Sequence, residues 1–459
     1  AGQPSRDRSQ RLVADAGPGG TDVIALLGAA AGDVAVPVSV RPAGAGLVVR
    51  TDGGFSCAND CTLAVRVPPR GSTPFGLVAQ RTPGTFRFVQ WSAGCTGADA
   101  GCELQVSATA TPAITAAFDR PNLVFTTPFE VEGTAIGGLA GADQRCQAAA
   151  ADAGLTGDFI AWLSTSTVNA ISRVQGDAGW LRPDARPFVY STTALTAGQI
   201  LYPLMLDARG GLLPPSAVWT GTSSSGTTMA VPCADWTDAG TGFATSGRTH
   251  AATATWTAGG AAGCGGSARL YCFERGRPLA VERLPPVPGA GRFIFPSGGM
   301  AATVNADGGA NRVCRDEGAD AGLGTLSSAL YATATKPAYV DAFSSAIIFP
   351  AVDLYRPDGV RVARGVDLVA NPNRDLEAPA NVTAAGVYLS GAVSAASLAV
   401  GAGSFFDAGT LASTCQNWTS VSGANTHTSG NVARGNWPEY VTGVNRACNF
   451  PVRFYCVTR

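Results

Sequence analysis

The chain has 459 residues, a net charge of -1 and only 14% charged side chains, a balance that excludes the basic face a nucleic-acid binder needs. Its longest apolar run, "VIALLGAAAG" from Val23 to Gly32, is about half of a bilayer span, so no membrane helix is expected. The length suits roughly three domains of about 100 to 200 residues.

The twelve cysteines bear on the compartment. Their even number and their grouping into three sets of four favour disulfides, and disulfides belong to exported proteins. The chain therefore reads as exported by a bacterium, to the cell surface or beyond. The opening "AGQPSRDRSQ" lacks the apolar core of a signal peptide, so Ala1 reads as a mature or trimmed start.

Residues 1–34 are polar, then weakly apolar, and read as an arm or linker. Residues 35–120 hold short alternating runs, "VPVSVR", "LAVRV", "FRFVQW" and "LQVSA", broken by turn residues as in an antiparallel β-sandwich. Four cysteines form two local pairs there, Cys57 with Cys61 and Cys95 with Cys102. Zinc is the alternative for this set, and oxidising export favours disulfides over it.

Residues 121–277 and 291–459 are two copies of one unit. "ADQRCQAAAADAGLTG" from Ala142 answers "ANRVCRDEGADAGLGT" from Ala310, and "CADWTDAGTGFATSG" from Cys233 answers "CQNWTSVSGANTHTSG" from Cys415. "VWTGT" at Val218 answers "VYLSGA" at Val387, and the closing "CGGSARLYC" answers "CNFPVRFYC". Residues 278–290, rich in Pro and Gly, read as a short, fairly stiff linker. Each copy runs from a strand ("NLVFTT" or "RFIFPS") through a cysteine-bearing helix and a long irregular middle to a last strand ending in an aromatic and Cys. In the first helix Ala142, Cys146, Ala149, Ala150 and Ala153 recur at helical spacing, and Gly154 and Gly157 stop it.

Two family resemblances rest on these phrases. "GFSCANDC", "FRFVQWSAGCTGADAGCELQVSA" and "ITAAF" resemble the immunoglobulin-like repeats of bacterial surface proteins, which implies that Trp91 packs a core. "GADQRC", "AGLTG", "WTGT", "CADW" and "LYCFE" resemble the C-type lectin-like fold, in particular its endostatin-like branch and the leptospiral endostatin-like surface proteins. The implied fold class is an all-β N-terminal sandwich followed by two α+β C-type lectin-like domains. Four cysteines per copy allow three connectivities; the resemblance implies Cys146 with Cys272, Cys233 with Cys264, Cys314 with Cys456 and Cys415 with Cys448. It also implies an adhesin-like surface protein that binds a protein or glycan ligand.

The sugar-binding lectins hold calcium with a cluster of carboxylate and amide oxygens before the third cysteine. "TWTAGGAAG" before Cys264 and "PEYVTGVNRA" before Cys448 lack it, and "RPDG" at Arg356 stands without a partner motif. No metal or cofactor is expected. His250 and His427 lie 17 and 12 residues beyond Cys233 and Cys415, offsets the repeat does not preserve, and read as surface loop residues. "GTSSSG" at Gly221 is a Ser-rich turn, not a nucleophile elbow, and the scattered carboxylates suggest no catalytic pair, so no enzyme is expected. Trp219, Trp236 and Trp418 read as core, while Trp180, Trp256 and Trp437 in the variable loops are the candidate contact residues. The alternative is a structural subunit of an extracellular filament or sheath, its arm adding "DVIALL" to an open sheet edge of an identical subunit.

Overall fold

A computed structural model of the chain describes residues 31–82, 84–229, 233–237, 242–289, 291–301, 309–331, 333–335, 352–364, 376–389, 399–401, 411, 414–431 and 444–458. It is rich in β-structure and forms two compact units, Ala1–Asp119 and Arg120–Arg459. The arm expected over residues 1–34 lies almost entirely outside the described residues.

Among the described residues the first unit holds eight strands: β1 (Gly32–Arg41), β2 (Gly46–Arg50), β3 (Ser56–Cys57), β4 (Asp60–Val67), β5 (Ser72–Arg81), β6 (Arg87–Ser92), β7 (Gly101–Ser107) and β8 (Ile114–Asp119). They form two four-stranded sheets, ordered β4-β1-β8-β6 and β3-β2-β5-β7. Alternation puts one face of each strand inward. Val36, Val38, Val40, Leu63 and Val65 of one sheet share a core with Val48, Leu77, Leu104 and Val106 of the other. Trp91 sits in that core, and its indole Nε1 donates to the Asp99 carbonyl at 2.9 Å.

In the second unit, copy one contributes β9 (Asn122–Thr126), β10 (Val131–Glu132), β11 (Asp158–Ala161), β12 (Trp180–Leu181), β13 (Pro187–Val189), β14 (Ala217–Trp219), β15 (Phe243–Arg248), β16 (Gly260–Gly263) and β17 (Ser267–Arg275). Their main path is β13-β12-β9-β17-β14-β15-β16, with β10 and β11 also on β17. Copy two contributes β18 (Arg292–Pro296), β19 (Ser327–Leu330), β20 (Leu354–Tyr355), β21 (Arg361–Ala363), β22 (Ala399–Gly401), β23 (Thr426–Asn431), β24 (Val444–Ala447) and β25 (Tyr455–Thr458). These form the sheets β19-β25-β18-β20-β21 and β22-β23-β24.

The closing strand organises each copy. Cys272 on β17 lies opposite Phe125 and Ala161, and Cys456 on β25 lies opposite Phe295 and Ala329. The helix Gly138–Asp152 brings Cys146 to Cys272, and the helix Gly309–Asp320 brings Cys314 to Cys456. Three residues before each helical cysteine, a side-chain oxygen accepts from the strand: Asp143 Oδ1 from the Ala161 N–H at 2.9 Å, and Asn311 Oδ1 from the Ala329 N–H at 2.8 Å. The basic residue of the closing phrase donates to the residue just past the opening strand in both copies. Arg269 Nη1 donates to the Thr127 carbonyl and Arg453 Nη1 to the Ser297 carbonyl, at 2.9 and 2.6 Å.

One alignment is corrected by the hydrogen-bond register. β14 pairs with β15 through Val218 opposite Gly247, and β22 pairs with β23 through Val400 opposite Gly430. Ala399–Gly401, not "VYLSGA", therefore answers Ala217–Trp219. Tyr388 instead bridges to Val382 as Leu212 bridges to Leu206, so Val387 to Leu389 answers Gly211 to Leu213. Two short stretches of similar apolar character lie about a dozen residues apart in copy two, and only pairing tells them apart. The irregular middle also hides a repeated hairpin. β12–β13 and β20–β21 share one register, with Trp180 opposite Val189 and Leu354 opposite Ala363.

Candidate functional site

The six disulfides join Cys57 to Cys61, Cys95 to Cys102, Cys146 to Cys272, Cys233 to Cys264, Cys314 to Cys456 and Cys415 to Cys448, and no cysteine is free. Each inner bond starts from a C-x-x-W turn of unusual geometry. Cys233, Ala234, Asp235 and Trp236 have φ of 43°, 49°, 54° and 69°, and Cys415, Gln416, Asn417 and Trp418 have 50°, 57°, 56° and 58°. A run of four non-glycine residues in the left-handed region costs about 1–2 kcal/mol per residue. The turn places the cysteine and the tryptophan in the core and turns its third residue toward a neighbouring loop. Asp235 Oδ1 accepts from the Ser166 N–H at 2.6 Å, and Asn417 Oδ1 accepts from the Ala334 N–H at 2.7 Å.

Trp180 and Trp256, candidate contact residues by sequence, are 0% and 1% exposed. The structure corrects that expectation for the ring faces, which pack against Phe273, Phe188 and Trp162 rather than offering a surface to stack on. Trp437 lies outside the described residues. His250 and His427 are also corrected from surface to interior, at 5% and 1% exposure. His250 Nδ1 lies 2.9 Å from Thr249 Oγ1, and burial pushes its pKa down to about 4, with Arg182 contributing in the same direction. His427 packs its ring against Trp418 at 5.6 Å.

Sequence reasoning missed the junction between the copies. "RPDG" has a counterpart in the other copy: Arg182-Pro183-Asp184 occupies the same place in the first hairpin. Arg356 Nε donates to Asp358 Oδ1 at 3.0 Å and Arg182 Nε to Asp184 Oδ1 at 3.1 Å. Neither carboxylate is free to take a cation. Arg356, fully buried, also bonds Asn381 Oδ1 at 2.6 Å and the Ile200 carbonyl of the other copy at 3.3 Å. Burial alone would raise the Asp358 carboxyl, but the charge and hydrogen bonds of Arg356 hold it below the ordinary range.

Equivalent segments meet across this junction. Arg186 pairs with Glu377 at 2.9 Å, while Leu201, Tyr202, Val360 and Ala378 form one buried cluster. By the hairpin register Arg186 corresponds to Val360, and Glu377 corresponds to Leu201 because their N–H groups donate to the equivalent carbonyls of Val362 and Phe188. One contact is ionic, its mirror apolar, and the pattern is that of a two-fold interface. The segment read as a linker belongs to it: Leu284 N–H donates to Tyr190 Oη at 3.1 Å and Arg283 covers the Tyr190 ring at 4.4 Å.

Two openings stand out among the described residues. One, of about 360 Å3, is lined by Gly298, Glu317, Asp320, Thr383 and Ala384; burial raises the Glu317 carboxyl, whose oxygens accept from the Gly298 N–H. The other is a cleft in copy one. A cavity of about 280 Å3, lined by Ser172, Gln175, Thr192, Thr193 and Thr196, shares Thr196 with one of about 70 Å3 that reaches Ser224, Ala254 and Trp256. Among the described residues no group of three His, Cys, Asp or Glu side chains is placed to hold a metal, and no helix is long and apolar enough to cross a membrane. No known protein family matches the chain, and no curated protein matches it.

Proposed function

We propose that the chain is a non-enzymatic, exported bacterial surface or extracellular protein that adheres to a protein or glycan ligand. In this reading an immunoglobulin-like sandwich precedes two C-type lectin-like domains of the endostatin-like kind. The observation that carries it is the division of labour within the repeat. Both copies keep the disulfide-closed frame, the helix with its Asp or Asn acceptor and the arginine clasp, while the segments between β12 and β17 and between β20 and β25 differ in length and content. A rigid frame with divergent loops is how binding modules present contact residues.

An array of extracellular-matrix proteins, serum proteins and glycans, probed with the purified chain in EDTA, tests this. Saturable binding to at least one class is expected; binding to none of them rejects adhesion.

A second reading has its own support. β16, the sequence Gly-Ala-Ala-Gly, ends its sheet and carries no charge or proline to block a further strand. In this alternative the chain is a structural subunit of a filament whose "DVIALL" segment adds to that edge of the next subunit. Negative-stain images distinguish the two: regular polymers that vanish on deletion of residues 1–34 favour the filament.

A further inference from the structure

Among the described residues, five buried indoles share a rule that Trp256 breaks. Trp91 Nε1 donates to the Asp99 carbonyl, Trp162 to Thr257 Oγ1, Trp180 to the Glu274 carbonyl, Trp219 to the Val131 carbonyl and Trp236 to the Ser164 carbonyl, all at 2.7 to 2.9 Å. Trp256 Nε1 is equally buried and has no acceptor among the described residues. A buried N–H without a partner costs about 1–3 kcal/mol, so folded chains rarely keep one without a use for it.

Trp256 is also the tryptophan that lines the cleft of copy one. Three local features build that cleft. The short helix Thr192–Thr196 is capped by Ser191, whose side chain accepts from the Ala194 N–H at 3.1 Å. The helix Ala170–Arg173 stands opposite, and the Ser-rich loop docks on it through the Ile171 N–H to the Gly226 carbonyl at 3.1 Å. Gly226 permits that approach: it has φ of 83°, and a Cβ there would lie 2.6 Å from Ile171 Cβ.

The lining chemistry narrows the ligand. Ser172, Gln175, Thr192, Thr193, Thr196 and Ser224 carry hydroxyl or amide groups, and among the described residues none that lines either cavity is charged. An anionic or cationic ligand finds no countercharge here, and a lipid chain finds too little apolar wall. A dense set of neutral donors and acceptors beside an indole suits a neutral polyhydroxylated ligand.

We propose that the cleft between Ala170–Arg173, Thr192–Thr196 and the 221–226 loop binds a neutral saccharide, one of whose oxygens accepts from Trp256 Nε1. The inference deepens the adhesion reading and rests on it. Recognition needs no calcium and no charge.

The test is an array of neutral mannose-, glucose-, galactose- and N-acetylglucosamine-based oligosaccharides with sialylated and sulfated controls, run in EDTA, followed by titration of the strongest neutral binder. Neutral glycans are expected to bind with a Kd that changes less than twofold between 0.1 and 0.5 M salt. Trp256→Phe, which keeps a ring but loses the donor, and Thr196→Val should each weaken binding about tenfold. Ser224→Leu on the exposed lip gives the same loss without touching the core. Capture of only charged glycans, or equal affinity in all three variants, overturns the proposal. Binding to a matrix protein with no glycan bound leaves adhesion standing and removes the saccharide cleft; binding to nothing removes both.

Discussion

The two copies share one face of their sheet and differ on the other. On the disulfide side Phe125, Ala142, Cys146, Ala161 and Trp236 are answered by Phe295, Ala310, Cys314, Ala329 and Trp418. On the opposite side of copy one, Trp162, Trp180, Phe188 and Phe273 stack together. The equivalent positions of copy two carry Leu330, Leu354, Val362 and Val457, all buried. A face built around a covalent bond tolerates little change in volume, since cores are close-packed and the bond fixes the backbone. The other face carries no such bond and is refilled as a set, with smaller side chains throughout in copy two.

A single position shows the same logic at finer grain. Glu274, fully buried, takes the Leu123 N–H at 2.9 Å and is gripped by Arg120 and Arg277. Gly157, with φ of 148°, is obligatory beside it because a Cβ would meet the Glu274 carboxylate at 2.2 Å. In copy two Thr458 stands there and its Oγ1 takes the Phe293 N–H at 2.8 Å. What was retained is the acceptor for a buried amide, not the charge.

The largest expected effect concerns the face the copies share. Replacing Cys146 and Cys272 with Ala opens a 126-residue loop, and replacing Cys314 and Cys456 opens one of 142. Each should cost about 5 kcal/mol on loop-closure grounds, read by urea unfolding. Equal losses mean closure dominates; a clearly larger loss in copy two means the aromatic face of copy one holds its domain without the bond. Next comes the junction. Arg356→Ala strands Asp358, whose side chain is only 17% exposed, and should cost about 3 kcal/mol. Arg182→Ala should cost about 2 kcal/mol, because the Asp184 side chain is 29% exposed and keeps Arg186 at 3.6 Å. Similar losses would remove the asymmetry drawn between the hairpins.

The histidines sharpen the contrast by pH. His250 has a folded pKa near 4 against an ordinary 6.5, so the unfolded chain binds the proton more readily. Stability from this group is complete above about pH 6.5 and falls as pH drops toward 4, by on the order of 3 kcal/mol. His250→Gln should flatten thermal stability over that window; an unchanged slope would place the titration elsewhere. The smallest effect is a gain. Ala234→Gly and Gln416→Gly relieve left-handed backbone and should each add about 1 kcal/mol, where glycine at an ordinary position would subtract. A melting temperature lowered by either substitution contradicts the turn geometry.

The frame was legible in the sequence through its cysteines, four to each copy with the last two eight residues apart in both; the Asp or Asn three before the helical Cys gained its meaning only from the hydrogen bonds. The middle was not. Its hairpins repeat through pairing register, which "LRPDARPFV" and "YRPDGVRVA" share with only three identities, Arg, Pro and Asp. The left-handed turns left no glycine to mark them, since disulfide and tryptophan anchor both ends. Trp256 was singled out for its loop position, yet its ring belongs to the core and only its unpaired N–H points to a ligand.

The junction between the copies has a consequence for behaviour at dilution. Two separate subunits meeting through this face would part once their concentration fell below their Kd. Joined by a segment that itself packs on Tyr190, the halves see each other at an effective concentration in the millimolar range. The pair stays assembled at any dilution, and a loop altered in one half is always displayed beside the unaltered other.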